Sequence, residues 1–449
     1  MGRPNYLTPI SHWPPRPPAS GGGLIFIKLD FTYYLIYSKQ HMANKLLNRL
    51  IINEIKPFLA TNDVIVLHGA RQVGKTSILL LLEQSLKEKG ETTFFIDLED
   101  SRNLQVLDSG IDELIKHLTE EGVYPRPGKT YVFLDEIQYL ADPSKLLKLA
   151  ADHHPELKLI VSGSSSFLLK KKFSDSLVGR TVDFEVHNLS FAEFLLFKGL
   201  LSISPGKATV KKLEALKSLY EEYVLYGGYP KIVLTPDLLM KEKYLQQIID
   251  TYIRKDIRDL AEIKDVNKFN RLLETLAAQS GQLLNVHELS NTCNLAKQTV
   301  ENYLFLLEQT YILRLVRPFS TNLRTELSKT PKVFFFDTGI MQLLWLKTLP
   351  REILGQAFET SVFSELAKNY GVDKVFFWRT TDKKEIDFIL KRANTPLPLE
   401  VKISFAQFHP GAIKAFLAKY QLQEYKIIAL RGNAKAPHSL YPWQLDNLK

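Results

Sequence analysis

Eight consecutive residues have the types and the spacing of a triphosphate-binding loop. The stretch satisfies G-x-x-x-x-G-K-[ST] and consists of Gly69, Ala70, Arg71, Gln72, Val73, Gly74, Lys75 and Thr76. Its glycines let the backbone turn tightly, so that N–H groups converge on phosphate oxygens at the start of a helix. Lys75 is predicted to contact the β- and γ-phosphates, Thr76 to bind Mg²⁺ through its hydroxyl, and Ser77 to complete the contacts. The expected ligands are therefore ATP and Mg²⁺.

Two adjacent acids are the expected partners of this loop. Residues 131–134 are apolar and lead directly into Asp135 and Glu136. Asp135, at the end of the predicted strand, is expected to hold Mg²⁺ through water, and Glu136 to orient and polarise the attacking water. Such a pair often marks a solvated strand end, but the loop that precedes it favours the catalytic interpretation. The second role would make the protein a hydrolase.

Two further residues are predicted to complete the ATPase site, and each has a plainer alternative. Ser164 lies in a serine-rich turn after the next apolar strand, where a hydroxyl could sense the γ-phosphate. Arg180 could reach the γ-phosphate of a neighbouring subunit as an arginine finger, which would require a homo-oligomer. The alternatives are a structural turn for the serine and a surface ion pair for the arginine.

Residues 42 to about 252 resemble the AAA-plus ATPases of bacteria and archaea. Besides the P-loop, the stretches that carry the resemblance are residues 133–138, 162–165, 179–180, 189–194 and 226–230. The resemblance implies a nucleotide-binding α/β core followed by a helical lid, and it makes an arginine finger more plausible. No motif indicates the number of subunits.

Residues 281–330 are predicted to form a helix, a turn, a second helix and a short strand, which resembles a winged helix-turn-helix. In the DNA-binding interpretation, the residues that face the major groove are Lys297, Gln298, Thr299 and Asn302. The alternative is a protein-docking module, because Glu301 and Glu308 on the second helix would repel phosphates.

Four residues near the C-terminus predict a second metal site. Asp387 and Glu400 lie on successive alternating segments and could bracket a Mg²⁺, with Lys402 positioning water and Glu359 completing the cluster from a helix. Residues 331 to about 404 resemble the restriction-endonuclease-like superfamily, whose motif is an acid followed by E/D-x-K on the next strand. The resemblance implies metal-dependent nuclease chemistry. The alternative is a salt-bridged sheet in a catalytically idle fold.

The elements that must position these residues alternate between short apolar strands and helices, which predicts an α/β fold with a parallel sheet. The predicted strands near the loop are residues 64–67, 93–96, 131–134 and 159–161. The predicted domains are a loose extension (1–41), a P-loop ATPase core (42–188), a helical lid (189–280), the winged helix-turn-helix (281–330) and a separate restriction-endonuclease-like α/β module (331–449).

Composition limits the class of protein. The 449 residues are 45% hydrophobic and 24% charged, with a net charge of +9 that favours phosphate-rich partners such as DNA. A single cysteine, Cys293, excludes an internal disulfide, and no apolar run is long enough to predict a membrane span. A cytoplasmic protein without membrane contact is expected.

Two functions fit these features. In the first, an ATPase uses its nucleotide state to control DNA binding or cleavage by the C-terminal half. In the second, ATP loading rearranges the lid and the winged helix to hold a partner, while the nuclease-like tail is structural.

Overall fold

The computed structural model describes residues 46–163, 177–200, 209–256, 263, 265–320, 330–393, 395–435 and 437–448. Its strands are β1 (Val64–His68), β2 (Thr92–Asp97), β3 (Thr130–Asp135), β4 (Leu157–Gly163), β5 (Thr181–Glu185), β6 (Leu313–Val316), β7 (Lys332–Phe335), β8 (Val375–Arg379), β9 (Glu385–Lys391), β10 (Pro396–Ser404), β11 (Lys426–Arg431) and β12 (Ser439–Leu440). Its α-helices are α1 (Ile51–Ile55), α2 (Lys75–Lys87), α3 (Ser101–Asp108), α4 (Ile111–Glu120), α5 (Pro143–His153), α6 (Phe191–Phe197), α7 (Val210–Tyr226), α8 (Pro230–Leu234), α9 (Leu238–Ile248), α10 (Val266–Ala278), α11 (Val286–Cys293), α12 (Lys297–Gln309), α13 (Thr338–Leu346), α14 (Gly355–Tyr370) and α15 (Gly411–Tyr420). A π-helix spans Ile249–Asp256, and the 3-10 helices are Lys56–Ala60, Ile137–Tyr139, Val372–Lys374, Phe405–Gln407 and Pro442–Asn447.

The first sheet is parallel, with strand order β2-β3-β4-β1-β5. Its central strands are apolar because helices cover both faces, as is usual for parallel sheets. The four predicted strands are confirmed, each slightly longer than expected. The edge strand β5 was not predicted, since its sequence Thr-Val-Asp-Phe-Glu alternates and lacks a continuous apolar run.

A helical region follows the sheet, and a later helix completes it. Helices α6 to α9 are joined by α13, which packs against α7, α9 and α10 although it lies far along the chain. Glu365 on α14 also accepts hydrogen bonds from the backbone N of Phe191 at 3.1 Å and from the Tyr223 hydroxyl at 2.6 Å. Helices α13 and α14 therefore contact the helical region that follows the first sheet, and the predicted separate C-terminal module stays a prediction.

Helices α10, α11 and α12 are followed by an antiparallel pair, β6 and β7. Leu283 also forms an isolated bridge with Lys332 on β7. The predicted helix, turn, second helix and short strand correspond to α11, α12 and β6, and their interpretation as a winged helix-turn-helix stays a prediction. The predicted boundary between residues 330 and 331 falls inside this β6–β7 hairpin, because β7 was assigned to the next module.

The second sheet has strand order β12-β11-β10-β9-β8. Strands β8, β9 and β10 are antiparallel to one another, and β10, β11 and β12 run parallel. Helix α14 packs against β8, β9 and β10, and α15 also contacts β9 and β10. In the part of the chain described above, none of the helices has the length and apolar character needed to cross a membrane.

Candidate functional site

The phosphate-binding loop joins the end of β1 to the start of α2, as its motif requires. Gly69 has φ +157°, and a Cβ there would overlap the carbonyl O of Val186. No side chain fits at that point, which explains the first glycine of the motif. Gly74 has φ +97° and is the N-cap of α2, so the second glycine supplies a left-handed turn into the helix.

Lys75 is folded onto the carbonyl groups of its own loop. Its Nζ donates to the carbonyl O of Gly69 at 3.1 Å and to that of Ala70 at 2.8 Å. Burial lowers the pKa of Lys75 to about 8, although Glu136 and Asp135 oppose the shift. Phosphate oxygens are stronger acceptors than carbonyl groups, because charge-assisted hydrogen bonds are shorter and stronger. The ammonium group can therefore exchange the loop carbonyls for a triphosphate.

A chain of hydrogen bonds connects the loop to two neighbouring strands. The Thr76 hydroxyl donates to Oδ2 of Asp135 at 2.6 Å, and the Ser162 hydroxyl donates to Oδ1 of the same carboxylate. Strands β3 and β4 are in register, with Leu134 opposite Val161, so the next residues on each strand lie side by side. The structure thus brings together the two residues predicted to bind Mg²⁺, Thr76 and Asp135.

Ser162 is a polar neighbour of Asp135 that sequence reasoning did not select. The predicted sensor, Ser164, lies outside the described residues. Ser162 is fully buried and also accepts a hydrogen bond from the backbone N of Glu136 at 3.3 Å. The register of adjacent parallel strands is the signal that would have identified it.

Glu136 is held in an unusual backbone conformation next to Asp135. Its φ of +57° is left-handed, which is uncommon for a residue other than glycine. The Gln138 amide donates to Oε2 of Glu136 and so orients its carboxylate. Such conformations cluster at functional sites.

Arg49 holds the phosphate-binding loop in place through a hydrogen bond to its backbone, a role that no sequence motif indicated. It is buried, and its guanidinium donates to Glu193 at 2.8 Å, to the carbonyl O of Val73 at 2.6 Å and to that of His187 at 2.9 Å. Glu193 in turn forms a capping box with Ser190 at the start of α6. One side chain therefore links the phosphate-binding loop to the helical region.

Arg180 lies at the opposite end of the sheet from the loop. Its carbonyl O accepts from the backbone N of Val64, the first residue of β1, whereas the loop follows His68 at the other end. A five-residue strand separates them by roughly 15 Å. The Arg180 Nε donates to Asp152 at 2.6 Å. Arg180 is thus not placed to serve its own loop, and action on a neighbouring subunit stays a prediction.

A narrow cleft opens beside the loop, between β1 and the C-terminal half. The residues that line it are Ala70, Val73, His187, Asn188, Tyr229, Tyr311, Ile312, Phe336, Asp337 and Ile340. His187 stacks on Phe336 with ring centroids 5.3 Å apart. The Tyr311 hydroxyl contacts Nδ1 of His68 at 2.5 Å. Side chains next to β6 and β7 therefore line a cleft together with residues of the phosphate-binding loop.

The predicted C-terminal residues also lie together. Lys402 Nζ lies 2.7 Å from Oε1 of Glu400 and 3.3 Å from Oδ2 of Asp387, and the backbone N of Val401 donates to that same Oδ2 at 2.7 Å. Burial and the charge of Asp387 raise the pKa of Glu400 to about 7. Its Oε2 is buried and accepts no hydrogen bond from any residue that the structure describes.

Lys332 on β7 enters the same cluster from the hairpin. Its Nζ lies 2.6 Å from Glu385 and 3.4 Å from Glu359, and burial together with Asp387 raises the pKa of Glu359 to about 7. Among the described residues, no three histidine, cysteine, aspartate or glutamate side chains are grouped in a way that could hold a metal ion. The predicted acids are instead bridged by lysine ammonium groups.

The predicted recognition helix, α12, exposes Lys297, Gln298, Asn302 and Phe305. Lys297 pairs with Glu301 at 3.7 Å, which reduces the local positive charge. Glu308 points inward, because it accepts from the backbone N of Leu315 at 2.9 Å. Of the two acids predicted to repel phosphates, Glu301 is exposed and Glu308 is engaged with β6.

Three family models match consecutive parts of the chain. Residues 61–195 match a model described as an AAA domain. Residues 217–351 and 354–444 match two domains of unknown function, DUF8612 and DUF4143. Together with the parallel sheet and the phosphate-binding loop, the first match supports an AAA-type fold for residues 61–195.

Relatives that share most of this chain exist in bacteria and archaea. An uncharacterized protein of Haemophilus influenzae is 28% identical over 367 residues, which cover 78% of this chain and 85% of that protein. An uncharacterized protein of Methanocaldococcus jannaschii is 27% identical over 360 residues, which cover 79% of this chain and 77% of that one. The core and the C-terminal half therefore occur together in other proteins.

Solved structures that are similar to this chain superimpose on it only partly, and their sequence identity is lower than that of the relatives above. Cdc6p from Pyrobaculum aerophilum is 14% identical, with a TM-score of 0.31 over 69% of this chain and 97% of that chain. AMPPCP-bound DnaA from Aquifex aeolicus is 16% identical, with a TM-score of 0.27 over 60% of this chain and 90% of that chain. Overlaps of this size carry no functional argument.

Proposed function

We propose that the protein is a Mg²⁺-dependent ATPase whose nucleotide state is transmitted to its C-terminal half. The observation that carries this proposal is the hydrogen bond of 2.6 Å from the Thr76 hydroxyl to Asp135. It places a P-loop hydroxyl and a strand-end carboxylate, the two groups that hold Mg²⁺ in P-loop enzymes, next to each other. Thr76 and Asp135 would hold the metal, which would offset the negative charge of the triphosphate.

The remaining residues of the site have separate roles in this proposal. Lys75 exchanges the carbonyl groups of Gly69 and Ala70 for β- and γ-phosphate oxygens. Glu136, oriented by Gln138, accepts a hydrogen bond from the attacking water and draws off its proton. Ser162 holds the second oxygen of Asp135, so that the other oxygen faces Thr76.

Transmission to the C-terminal half is supported by the residues around the cleft. Ala70 and Val73 of the loop line it together with Tyr311, Phe336 and Asp337. A change in the loop on nucleotide binding therefore alters the packing of the strands and helices around β6 and β7. The proposed consequence is that the exposed face of α12 binds DNA in one nucleotide state and not in the other.

Phosphate release from ATP by the purified full-length protein tests the ATPase. We expect turnover with Mg²⁺ and its loss when EDTA removes the metal. The variant Thr76→Val keeps the shape of the side chain but lacks the hydroxyl, and it should lower activity by at least ~10-fold. Ser109→Ala, on an exposed residue after α3, is the matched control. Activity that persists in EDTA would contradict the assignment of the metal site.

A second candidate function is DNA cleavage by the acids of the C-terminal sheet. The buried Oε2 of Glu400, which has no partner among the described residues, favours it, because a buried carboxylate oxygen without a donor can bind a cation. The ammonium groups of Lys332 and Lys402 argue for the alternative, a structural salt-bridge network in a switch that only holds a partner. Both functions are compatible with the same ATPase core.

Cleavage of plasmid DNA by the full chain separates these two functions. If the C-terminal sheet is a nuclease, nicking should require Mg²⁺ or Mn²⁺ and should disappear in Asp387→Ala. Asp382→Ala, on an exposed loop residue of the same sheet, should cleave normally. Nicking that is equal in both variants would come from a contaminant. No nicking by the wild type, with ATP-dependent DNA retention unchanged in Asp387→Ala, would favour the switch.

A further inference from the structure

Lys332 brings a positive charge from the β6–β7 hairpin to acids of the second sheet and its covering helix. Its side chain is only 4% exposed, and its Nζ lies 2.6 Å from Oε1 of Glu385 on β9. The same Nζ lies 3.4 Å from Oε1 of Glu359 on α14. Two carboxylates from different elements therefore share one ammonium group.

The backbone of β7 is held on both sides, so the hairpin determines where Lys332 lies. On one side, Val316 of β6 is the register partner of Lys332. On the other side, Leu283 forms an isolated bridge with Lys332, and the backbone N of Gly281 donates to the carbonyl O of Val333 at 2.6 Å. The ammonium group is therefore presented by an element that lies outside the second sheet.

Lys402 contacts the acids in a different way, because it belongs to the sheet that carries them. It lies on β10, and its Nζ is 2.7 Å from Glu400 and 3.3 Å from Asp387 on the neighbouring strand. Its position is therefore set by the folding of the sheet. Of the two lysines, Lys332 is the one whose charge a movement of β7 against the sheet would withdraw.

The acids around Lys332 need a positive charge between them. Like charges at close range repel, and either an ammonium group or a divalent cation relieves the repulsion. Arg379 contacts Oε2 of Glu385 at 3.0 Å, which leaves Oε1 to Lys332. As the described acids are placed, they do not form a group that could hold a metal ion, and an ammonium group is shared by two of them.

We propose that Lys332 is a built-in counter-ion that keeps divalent cations away from the acids of the C-terminal sheet. The ammonium group supplies the positive charge beside Glu359 and Glu385, and it repels a second cation at the same place. The β6–β7 hairpin is thus an autoinhibitory element for this sheet. The proposal is independent of the ATPase and does not require the sheet to cleave DNA.

Binding of Mn²⁺ to the full-length protein without nucleotide tests the proposal. Electron paramagnetic resonance measures free Mn²⁺, and thermal unfolding in EDTA and in Mn²⁺ measures the stabilisation that follows from binding. Lys332→Met keeps an unbranched side chain without its charge. This variant should bind Mn²⁺ at least ~10-fold more tightly than the wild type, and its Tm should fall in EDTA and recover in Mn²⁺. The phosphate-binding loop is unchanged, so the difference reports on the acids.

Two further variants serve as controls. Lys384→Met removes an exposed lysine that pairs with Asp382 at 3.2 Å, and it should behave as the wild type does. In the double variant Lys332→Met/Glu359→Gln, one of the two acids is neutral. Its Mn²⁺ affinity should return to within about threefold of the wild-type value, because a single remaining carboxylate binds the cation weakly.

The single variant Glu359→Gln keeps Lys332 and decides the question even if Lys332→Met does not fold. Its Mn²⁺ binding should equal that of the wild type, since the acids are already closed to cations. Weaker binding in Glu359→Gln would mean that the metal enters with Lys332 in place, and the proposal would be wrong. Equal Mn²⁺ affinities of the wild type and a folded Lys332→Met would also overturn it.

Discussion

Replacing Lys75 with alanine is expected to abolish measurable ATP binding. The ammonium group forms charge-assisted hydrogen bonds to the phosphates, and a loss of about 3–4 kcal/mol corresponds to a ~100- to 1,000-fold weaker affinity. The backbone of the loop is fixed independently by Gly69, Gly74 and Arg49, so the fold should survive. Calorimetric titration with ATP and Mg²⁺ measures the effect.

Lys87→Ala is the matched control for this change. Lys87 lies at the exposed end of the same helix, where it pairs with Glu83. Its removal should leave ATP affinity within about twofold, because exposed ion pairs contribute little. If Lys75→Ala bound ATP as tightly as Lys87→Ala, the loop would not be the triphosphate site.

Glu136→Gln is expected to separate binding from hydrolysis. The amide keeps the size of the side chain but cannot take a proton from water, and loss of general-base catalysis lowers the rate by ~100- to 10,000-fold. ATP affinity should stay within a few-fold of the wild type, since Lys75 and Thr76 are untouched. Single-turnover phosphate release, together with calorimetry on the same preparation, measures both quantities.

An exposed acid provides the comparison for Glu136. Glu120 ends helix α4 and is solvent-exposed, so Glu120→Gln should hydrolyse ATP at the wild-type rate. Normal hydrolysis by Glu136→Gln would show that another group orients the water. Loss of binding in that variant would instead mean that Glu136 holds the loop in place.

The sequence was sufficient where the chemistry is local. Gly69, Gly74, Lys75 and Thr76 lie within one short loop, and their types determine both the loop and the start of α2. The alternation around Asp387 and Glu400 likewise predicted that these side chains lie near Lys402, as the structure places them. Motifs of this kind can be read from sequence because the backbone between their residues is short and regular.

Contacts between distant segments could not be predicted in this way. Arg49 and Glu193 are 144 residues apart, and Asn188 and Asp337 are 149 apart. Each pair joins a residue near the first sheet to a later element, Glu193 in α6 or Asp337 at the N-cap of α13. A single sequence does not show which buried charges will meet, so the support of the loop and the pairing of Asn188 with Asp337 required the structure.

Strand β7 has a consequence for experiments on fragments. It pairs with β6 in the hairpin and also carries Lys332, whose ammonium neutralises Glu385 and Glu359. A fragment of residues 331–449 would contain β7 without β6, its partner in the antiparallel pair. A fragment that ends at residue 330 would contain β6 without β7, so each fragment would have an unpaired strand edge. A negative cleavage assay on either fragment would therefore report misfolding, and the halves must be studied as one polypeptide.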